Sequence, residues 1–203
     1  MQKTVKPKTA NKISNLLIPK SSKLELLRQL MRQENVEAFL IPRSDCHQGE
    51  FIAESDARLA WLSGFTGSAG LCIVSLNDIA LFVDGRYSIQ AEKEKNNKEI
   101  QILKYETVII IEWFKKNLIE SNTIAFDPWL HTIHEIENLI KEYQSFYKIK
   151  PCRNLIDKLW LNKPKETFNK FYKLNERYSG KSHHKKLKNI DQMMGEFEVD
   201  FLI

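Results

Sequence analysis

Leu71-Cys72-Ile73-Val74-Ser75-Leu76-Asn77-Asp78-Ile79-Ala80-Leu81-Phe82-Val83 contains two apolar runs, Leu71 to Leu76 and Ile79 to Val83, separated only by Asn77-Asp78. Asn and Asp tolerate the left-handed backbone of a tight turn, so this stretch predicts a β-hairpin. Directly before it stands Ser63-Gly64-Phe65-Thr66-Gly67-Ser68-Ala69-Gly70, which holds three of the seven glycines. Glycine concentrates where a chain needs positive φ or a close approach by another group, so this loop is shaped rather than merely flexible. Its Gly64-x-x-Gly67-x-x-Gly70 spacing is not a dinucleotide fingerprint. It lacks a following Lys-Ser or Lys-Thr and leads into a strand where a phosphate loop would lead into a helix, which argues against nucleotide binding.

Upstream, Ser21 or Ser22 can cap a helix with Leu24, Leu27, Leu30 and Met31 on one face, and the β-rich Val36 to Ile41 follows. Downstream, Gly85 to Lys95 reads as a helix and Ile100 to Leu103 as a strand. Val108 to Leu118 puts Ile110, Phe114 and Leu118 on one helical face, although its Val-Ile-Ile-Ile start also suits a strand. Thr123 to Phe126 predicts a short strand and Asp127-Pro128 a helix start. Ile133, Ile136, Ile140 and Tyr143 form an amphipathic stripe, and Phe146 to Lys150 makes a last strand. Helices alternating with strands around one hairpin imply an α/β fold, a mixed β-sheet covered by helices, over residues 21–154. Trp160-Leu161 and Pro164 mark a linker over 155–181. Ser182 then caps a helix to Met194 that Gly195 stops, and Val199 to Ile203 resembles a strand.

With 42% hydrophobic and 28% charged residues, and no apolar run near the ~20 residues that cross a bilayer, the chain has a globular composition. Residues 1–20 are Lys-rich and free of acids, and their only apolar stretch is Leu16-Leu17-Ile18. That suits a disordered tail and a cytoplasmic protein rather than a signal peptide. Cys46, Cys72 and Cys152 are odd in number and widely spaced, so they suggest reduced thiols and no zinc knuckle. The net charge of +5 comes from 24 Lys and 7 Arg interleaved with 26 acids. Phosphate and base recognition favours clustered Arg, so nucleic acid is not the expected partner.

His131 and His134, three apart beside Glu135, could face a metal together, but no third ligand is recognisable and both lie off the isoleucine stripe, as surface histidines do. His183-His184 with Lys185, Lys186 and Lys188 reads as an exposed basic helix face. Asp45, His47 and Glu50 stand near Arg43 and Arg58. As a bare set they are either acid/base groups or a polar loop held by hydrogen-bonded turns.

The order of these residues adds a resemblance. Ala38-Phe39-Leu40-Ile41-Pro42, Asp45, His47-Gln48, Glu50-Phe51-Ile52-Ala53, Asp56-x-Arg58, the glycine loop, Asp84-Gly85-Arg86-Tyr87, Asp127-Pro128-Trp129, Leu155-Ile156-Asp157-x-Leu159-Trp160 and Tyr178-Ser179-Gly180-Lys181-Ser182 closely resemble the N-terminal region of the Xaa-Pro aminopeptidase (aminopeptidase P) family of three-domain type. The resemblance implies a creatinase N-terminal fold for the first domain and makes residues 182–203 the truncated start of a second, similar one. The family's catalytic domain, expected to follow, binds two metal ions through two Asp, one His and two Glu. No residue here matches those positions, so a manganese or other divalent metal pair is expected only in that missing domain, with no cofactor and no catalytic residue in this chain.

By resemblance, Arg86 points toward the substrate pocket, and His47, Gln48 and Glu50 belong to a loop near the domain interface. Arg86, His47 and Glu50 are therefore the expected substrate-binding residues. A guanidinium suits that task because it stays charged and offers a planar fork to a carboxylate or carbonyl. The expectation is a non-catalytic part of a cytoplasmic enzyme acting on proline-containing peptides, contributing substrate positioning and contacts in a homo-oligomer, with no membrane attachment. The rival expectation is a stand-alone binding module that completes a separate catalytic chain in trans.

Overall fold

The computed structural model describes residues 20–119, 122–167 and 170–202. Helix α1 (Lys20–Gln33) leads into strand β1 (Ala38–Pro42), and α2 (Arg58–Ser63) precedes the hairpin β2 (Gly70–Ser75) and β3 (Ile79–Val83). Then come α3 (Ser88–Glu94), β4 (Gln101–Lys104), α4 (Thr107–Asn117), β5 (Thr123–Phe126), α5 (Ile133–Tyr143), β6 (Lys148–Pro151) and α6 (Leu155–Leu159). The sheet has the order β4-β3-β2-β1-β5-β6. β2 runs antiparallel to both β1 and β3, and the other three pairings are parallel. The carboxyl ends of every strand but β2 therefore emerge at one edge.

Side chains alternate across the sheet, so Phe39, Ile41, Cys72, Val74, Leu81 and Val83 join the core under α1, α2, α3 and α6. Ala38, Leu40, Leu71, Ile73, Ala80 and Phe82 face the opposite core, built with Trp113 and Phe114 of α4 and Tyr143 of α5. Because both faces are covered, each hairpin strand is apolar along its length.

The hairpin connection differs from expectation. Neither Asn77 nor Asp78 takes positive φ. The Ser75 hydroxyl accepts the N–H groups of Asn77 and Asp78 at 3.3 and 2.8 Å, and Ser75 N–H donates to the Asp78 carbonyl at 2.8 Å. A side-chain-closed turn thus replaces the left-handed one. Val108 to Leu118 resolves as helix, and Gly85 begins a short 3-10 turn that precedes α3. α1 starts at Lys20, so Ser21 and Ser22 lie inside it rather than capping it. The rest of the tail expected over 1–20 lies outside the described residues.

α5 buries Tyr143 and half-buries Ile136 and Leu139, while Ile133 is 80% exposed. Of the expected stripe, Ile136 and Tyr143 pack, while Ile133, directly after the Thr132 cap, and Ile140 are exposed, so the packed face runs through Ile136, Leu139 and Tyr143. Leu155 and Ile156, expected to open a linker, are fully buried in α6 against α1 and α2. β6 begins at Lys148 rather than Phe146.

The chain divides into two compact units, one ending at Glu166 and one beginning at Thr167. The second contains α7 (Glu176–Ser179), capped by Asn175, and α8 (His183–Glu196), capped by Ser182. α8 runs past Gly195, and the strand expected from Val199 is irregular chain through Leu202, with Ile203 outside the described residues. A glycine within a last helical turn costs about 1 kcal/mol, too little to end a helix alone. No helix among the described residues is long and apolar enough to cross a membrane.

Candidate functional site

In open α/β sheets, ligand sites gather outside the carboxyl ends of the strands. At that edge Arg43 and Ser44 after β1, Asp84 after β3, Tyr105 after β4 and Leu130 after β5 line an open cleft of about 310 Å³ with Gln48 and Glu135. The loop after β1 is held by backbone-directed bonds. Asp45 Oδ1 accepts the N–H groups of His47 and Gly49, both at 2.9 Å, and Arg43 Nη1 donates to the Glu50 carbonyl at 2.8 Å. The Gly49 bond, helped by the one from His47, holds the Asp45 carboxyl below the usual range against a small desolvation cost. Gln48 sits at φ 55°. Asp45 and Arg43 therefore shape the loop, while the His47 and Glu50 side chains stand exposed.

At the end of β3, the backbone N–H and Nε of Arg86 both donate to Asp84 Oδ1 at 2.9 Å. The Arg86 side-chain bond lowers the Asp84 carboxyl, and the same pairing raises the guanidinium. The Arg86 side chain remains 78% exposed, and its two terminal nitrogens have no hydrogen-bond partner among the described residues. One edge of the guanidinium is fixed and the other is open.

Tyr87 meets the Ser68 hydroxyl at 2.5 Å, which lowers its phenol, and packs edge-on to Phe65 with ring centroids 5.8 Å apart. Two glycines of the loop have no room for a side chain. Gly64 lies at φ 86°, where a Cβ would come within 2.5 Å of the Glu94 carbonyl, and a Cβ on Gly67 would meet the Phe65 ring at 2.1 Å. Thr66 closes the loop through its N–H and hydroxyl on the Glu94 carboxylate.

The expected site residues thus share one edge of the sheet, but no hydrogen bond or ion pair joins Arg86, His47 and Glu50 among the described residues. Their neighbours Asp84 and Gln48 line the cleft. Arg58 does not belong to the cluster. Its guanidinium donates from Nε and Nη2 to both Asp157 oxygens at 2.9 and 3.0 Å, and from Nη1 to Asp56 at 2.8 Å.

The surface reading holds for His134, whose ring lies 3.0 Å from the Asn138 amide, but not for His131. The His131 side chain is 8% exposed, edge-on to Phe126, and burial lowers its imidazole despite the opposing Glu135 and Asp127 carboxylates. The signal was in the sequence: Thr132-x-x-Glu135 is a capping box, and the structure forms it. It starts the helix at Ile133 and leaves His131 in the strand-end turn, beside the sheet. Among the described residues no group of three His, Cys, Asp or Glu could hold a metal ion.

Residues 23–159 match the creatinase/prolidase N-terminal domain family. A probable Xaa-Pro aminopeptidase P of Laccaria bicolor is 33% identical over 189 residues, 90% of this chain and 29% of that protein. The X-prolyl aminopeptidase of Caenorhabditis elegans, a cytosolic enzyme with a di-nuclear active site, superposes with a TM-score of 0.73 at 25% identity, over 88% of this chain and 31% of that one. The Xaa-Pro aminopeptidase structure from Streptococcus thermophilus shares the fold with a TM-score of 0.56 over 70% of this chain and 98% of that one. This chain spans 26–34% of the length of the curated relatives it matches. The match over residues 23–159, most of the chain, shows that the chain belongs to the creatinase/prolidase N-terminal domain family.

Proposed function

We propose that this chain is the N-terminal, non-catalytic portion of a cytoplasmic Xaa-Pro aminopeptidase, and that its strand-end loops position a proline-containing peptide and contact a second subunit. The carrying observation is Arg86, fixed through Nε by Asp84 and open along its other edge. A guanidinium held this way presents two parallel donors to a carboxylate or peptide carbonyl with little rotamer entropy left to lose. His47 and Glu50 lie exposed on the neighbouring loop and shape the rim of the same approach. Phe51 and Trp129, 86% and 74% exposed, supply aromatic surface for the subunit contact. The compartment follows the worm enzyme, and three free cysteines agree with it.

Hydrolysis of the bond before proline calls for a polarised water. In this reading a manganese or other divalent pair supplies it from residues of a catalytic domain, since the described residues offer no ligand set for one. The segment from Ser182 is taken as the opening of a second, similar domain. The test is release of the N-terminal residue from a Xaa-Pro tripeptide by the purified chain with manganese, against a chelated control. No metal-dependent release is expected, and turnover would overturn the reading. When the chain is joined to a catalytic polypeptide, Arg86→Ala should raise KM by roughly 10- to 100-fold, the value of a charge-assisted hydrogen bond. An unchanged KM would remove Arg86 from the substrate.

A further inference from the structure

Three charged groups line the strand-end cleft, and each is anchored at one polar atom and open at another. Arg43, after β1, donates from Nη1 to the Glu50 carbonyl at 2.8 Å, and its Nε and Nη2 have no hydrogen-bond partner among the described residues. Asp84, after β3, holds Arg86 through Oδ1 and leaves Oδ2 without a partner among those residues. Glu135, in the first turn of α5, accepts the Thr132 N–H on Oε2 at 2.8 Å and leaves Oε1 in the same state. All three can be reached from solvent: Arg43 is half-buried, and Asp84 and Glu135 keep 46% and 52% of their side-chain exposure.

Opposite charges in contact would neutralise one another, yet among the described residues no ion pair joins Arg43 to either carboxylate. The cleft of about 310 Å³ therefore offers guanidinium donors and carboxylate oxygens to a single occupant. A lone anion there meets Asp84 and Glu135, and a lone cation meets Arg43, so a ligand bearing both charges complements the lining best. We propose that this cleft binds a small zwitterion with a free ammonium and a free carboxylate, the chemistry shared by amino acids and short unblocked peptides. Its carboxylate sits on Arg43 and its ammonium between Asp84 and Glu135.

The anchoring bonds favour such a ligand, because each removes rotamer freedom from a charged side chain before anything binds. Open Arg nitrogens suit a carboxylate, which a guanidinium meets with two parallel donors. Tyr105, 51% exposed, and Leu130 line the same cleft and offer apolar surface to the carbon stem between the two charges. The inference rests on the reading of the strand-end edge as a ligand site, but it needs no metal and no cleavage. Metal-dependent turnover by the chain alone would overturn the peptidase reading and leave this binding in place, whereas absence of binding would leave an inactive chain as it was.

The test is NMR titration of the intact, isotope-labelled chain at low ionic strength, where exposed charges are least screened. Alanine or alanyl-alanine should move the Arg43 Nε–H and the Ser44 and Gln48 amides saturably at millimolar concentration. A dipeptide spaces its charges by one more residue, about 3.8 Å, so the tighter of the two identifies the source. N-acetylalanine and alaninamide each lack one charge and should bind about tenfold more weakly. Arg43→Gln keeps a donor for the Glu50 carbonyl, and should weaken alanine about tenfold while leaving alaninamide unchanged. Glu135→Gln keeps an acceptor for the Thr132 N–H, should weaken alanine and leave N-acetylalanine unchanged, and serves if the first variant disturbs its loop. The proposal is overturned if neither zwitterion gives a saturable shift, if the blocked forms bind as tightly as the free ones, or if both variants bind alanine as the parent does.

Discussion

Burial makes His131 a weaker base than a histidine in water, and the direction of that shift sets a pH dependence. Above about 6.5, the ordinary histidine value, the ring is neutral in folded and unfolded chains alike, and its burial carries no protonation penalty. As pH falls below that value the unfolded chain binds the proton and the folded chain resists it. Stability is therefore lost progressively until pH passes the depressed folded value. Glu135 and Asp127 oppose the shift, and Tyr105 and Glu142 share a pocket with the ring. The thermal midpoint of His131→Phe should fall less than that of the parent between pH 7.5 and 5, and equal slopes would show that His131 does not titrate in this way. Glycines separate fold from function at the same scale. Gly64→Ala meets both φ 86° and the Glu94 carbonyl, so it should cost roughly 2 kcal/mol or more. Gly85→Ala meets nothing within 4 Å and has no positive φ, so denaturant midpoints should place it within about 0.5 kcal/mol of the parent. A Gly85 variant that folds normally yet impairs a joined catalytic assembly would locate the need for that glycine in ligand approach beside Arg86.

At the scale of elements, α6 is fixed to α2 by a charged clamp. Arg58 is 8% exposed and grips both oxygens of Asp157, while Leu155 and Ile156 fill the core and Trp160 stacks on Trp61 with centroids 5.7 Å apart. Losing Arg58 leaves Asp157 its ion pair with Lys163 Nζ at 3.0 Å and 34% of its side-chain exposure, so neither charge is stranded as in a fully buried pair. Arg58→Ala should therefore cost about 2 kcal/mol, below the range of fully buried pairs, through its three lost charge-assisted hydrogen bonds and its packing. Urea unfolding measures it, and a loss under about 1 kcal/mol would show the clamp to be solvated. This element also marks where local pattern stops being informative. The β2–β3 hairpin was legible because two apolar runs and one polar break admit few other structures. α5 was legible as a helix, but its packed face was not, because Ile133 and Ile136 look equivalent until the sheet edge decides which one is covered. α6 is five residues long, and its place in the core depends on Arg58, 99 positions away in sequence. The edge holding Arg86, His47 and Glu50 came from the order of motifs, whereas the His131 pocket needed three elements in space.

Across the whole molecule, burial is concentrated in the first unit. Among the described residues every buried one lies between Leu24 and Ile156, and α8 buries none. Leu187, Ile190, Met193 and Phe197 of the second unit are 61%, 39%, 54% and 72% exposed, at the spacing of one helical face. A helix of 14 residues without a packed face is marginal in water, because nucleation is costly and most helical stability in proteins comes from tertiary burial. Amides of β2 and β3, by contrast, open only with the sheet. In a dilute chain shown to be monomeric, deuterium exchange should therefore find residues 183–196 within about tenfold of free-peptide rates and the hairpin slower by several orders of magnitude. Protection of α8 that rises with protein concentration would mean that its apolar face finds a second copy. Protection of α8 equal to that of the hairpin in the monomer would contradict the argument, because a helix that buries nothing would then be as stable as the core.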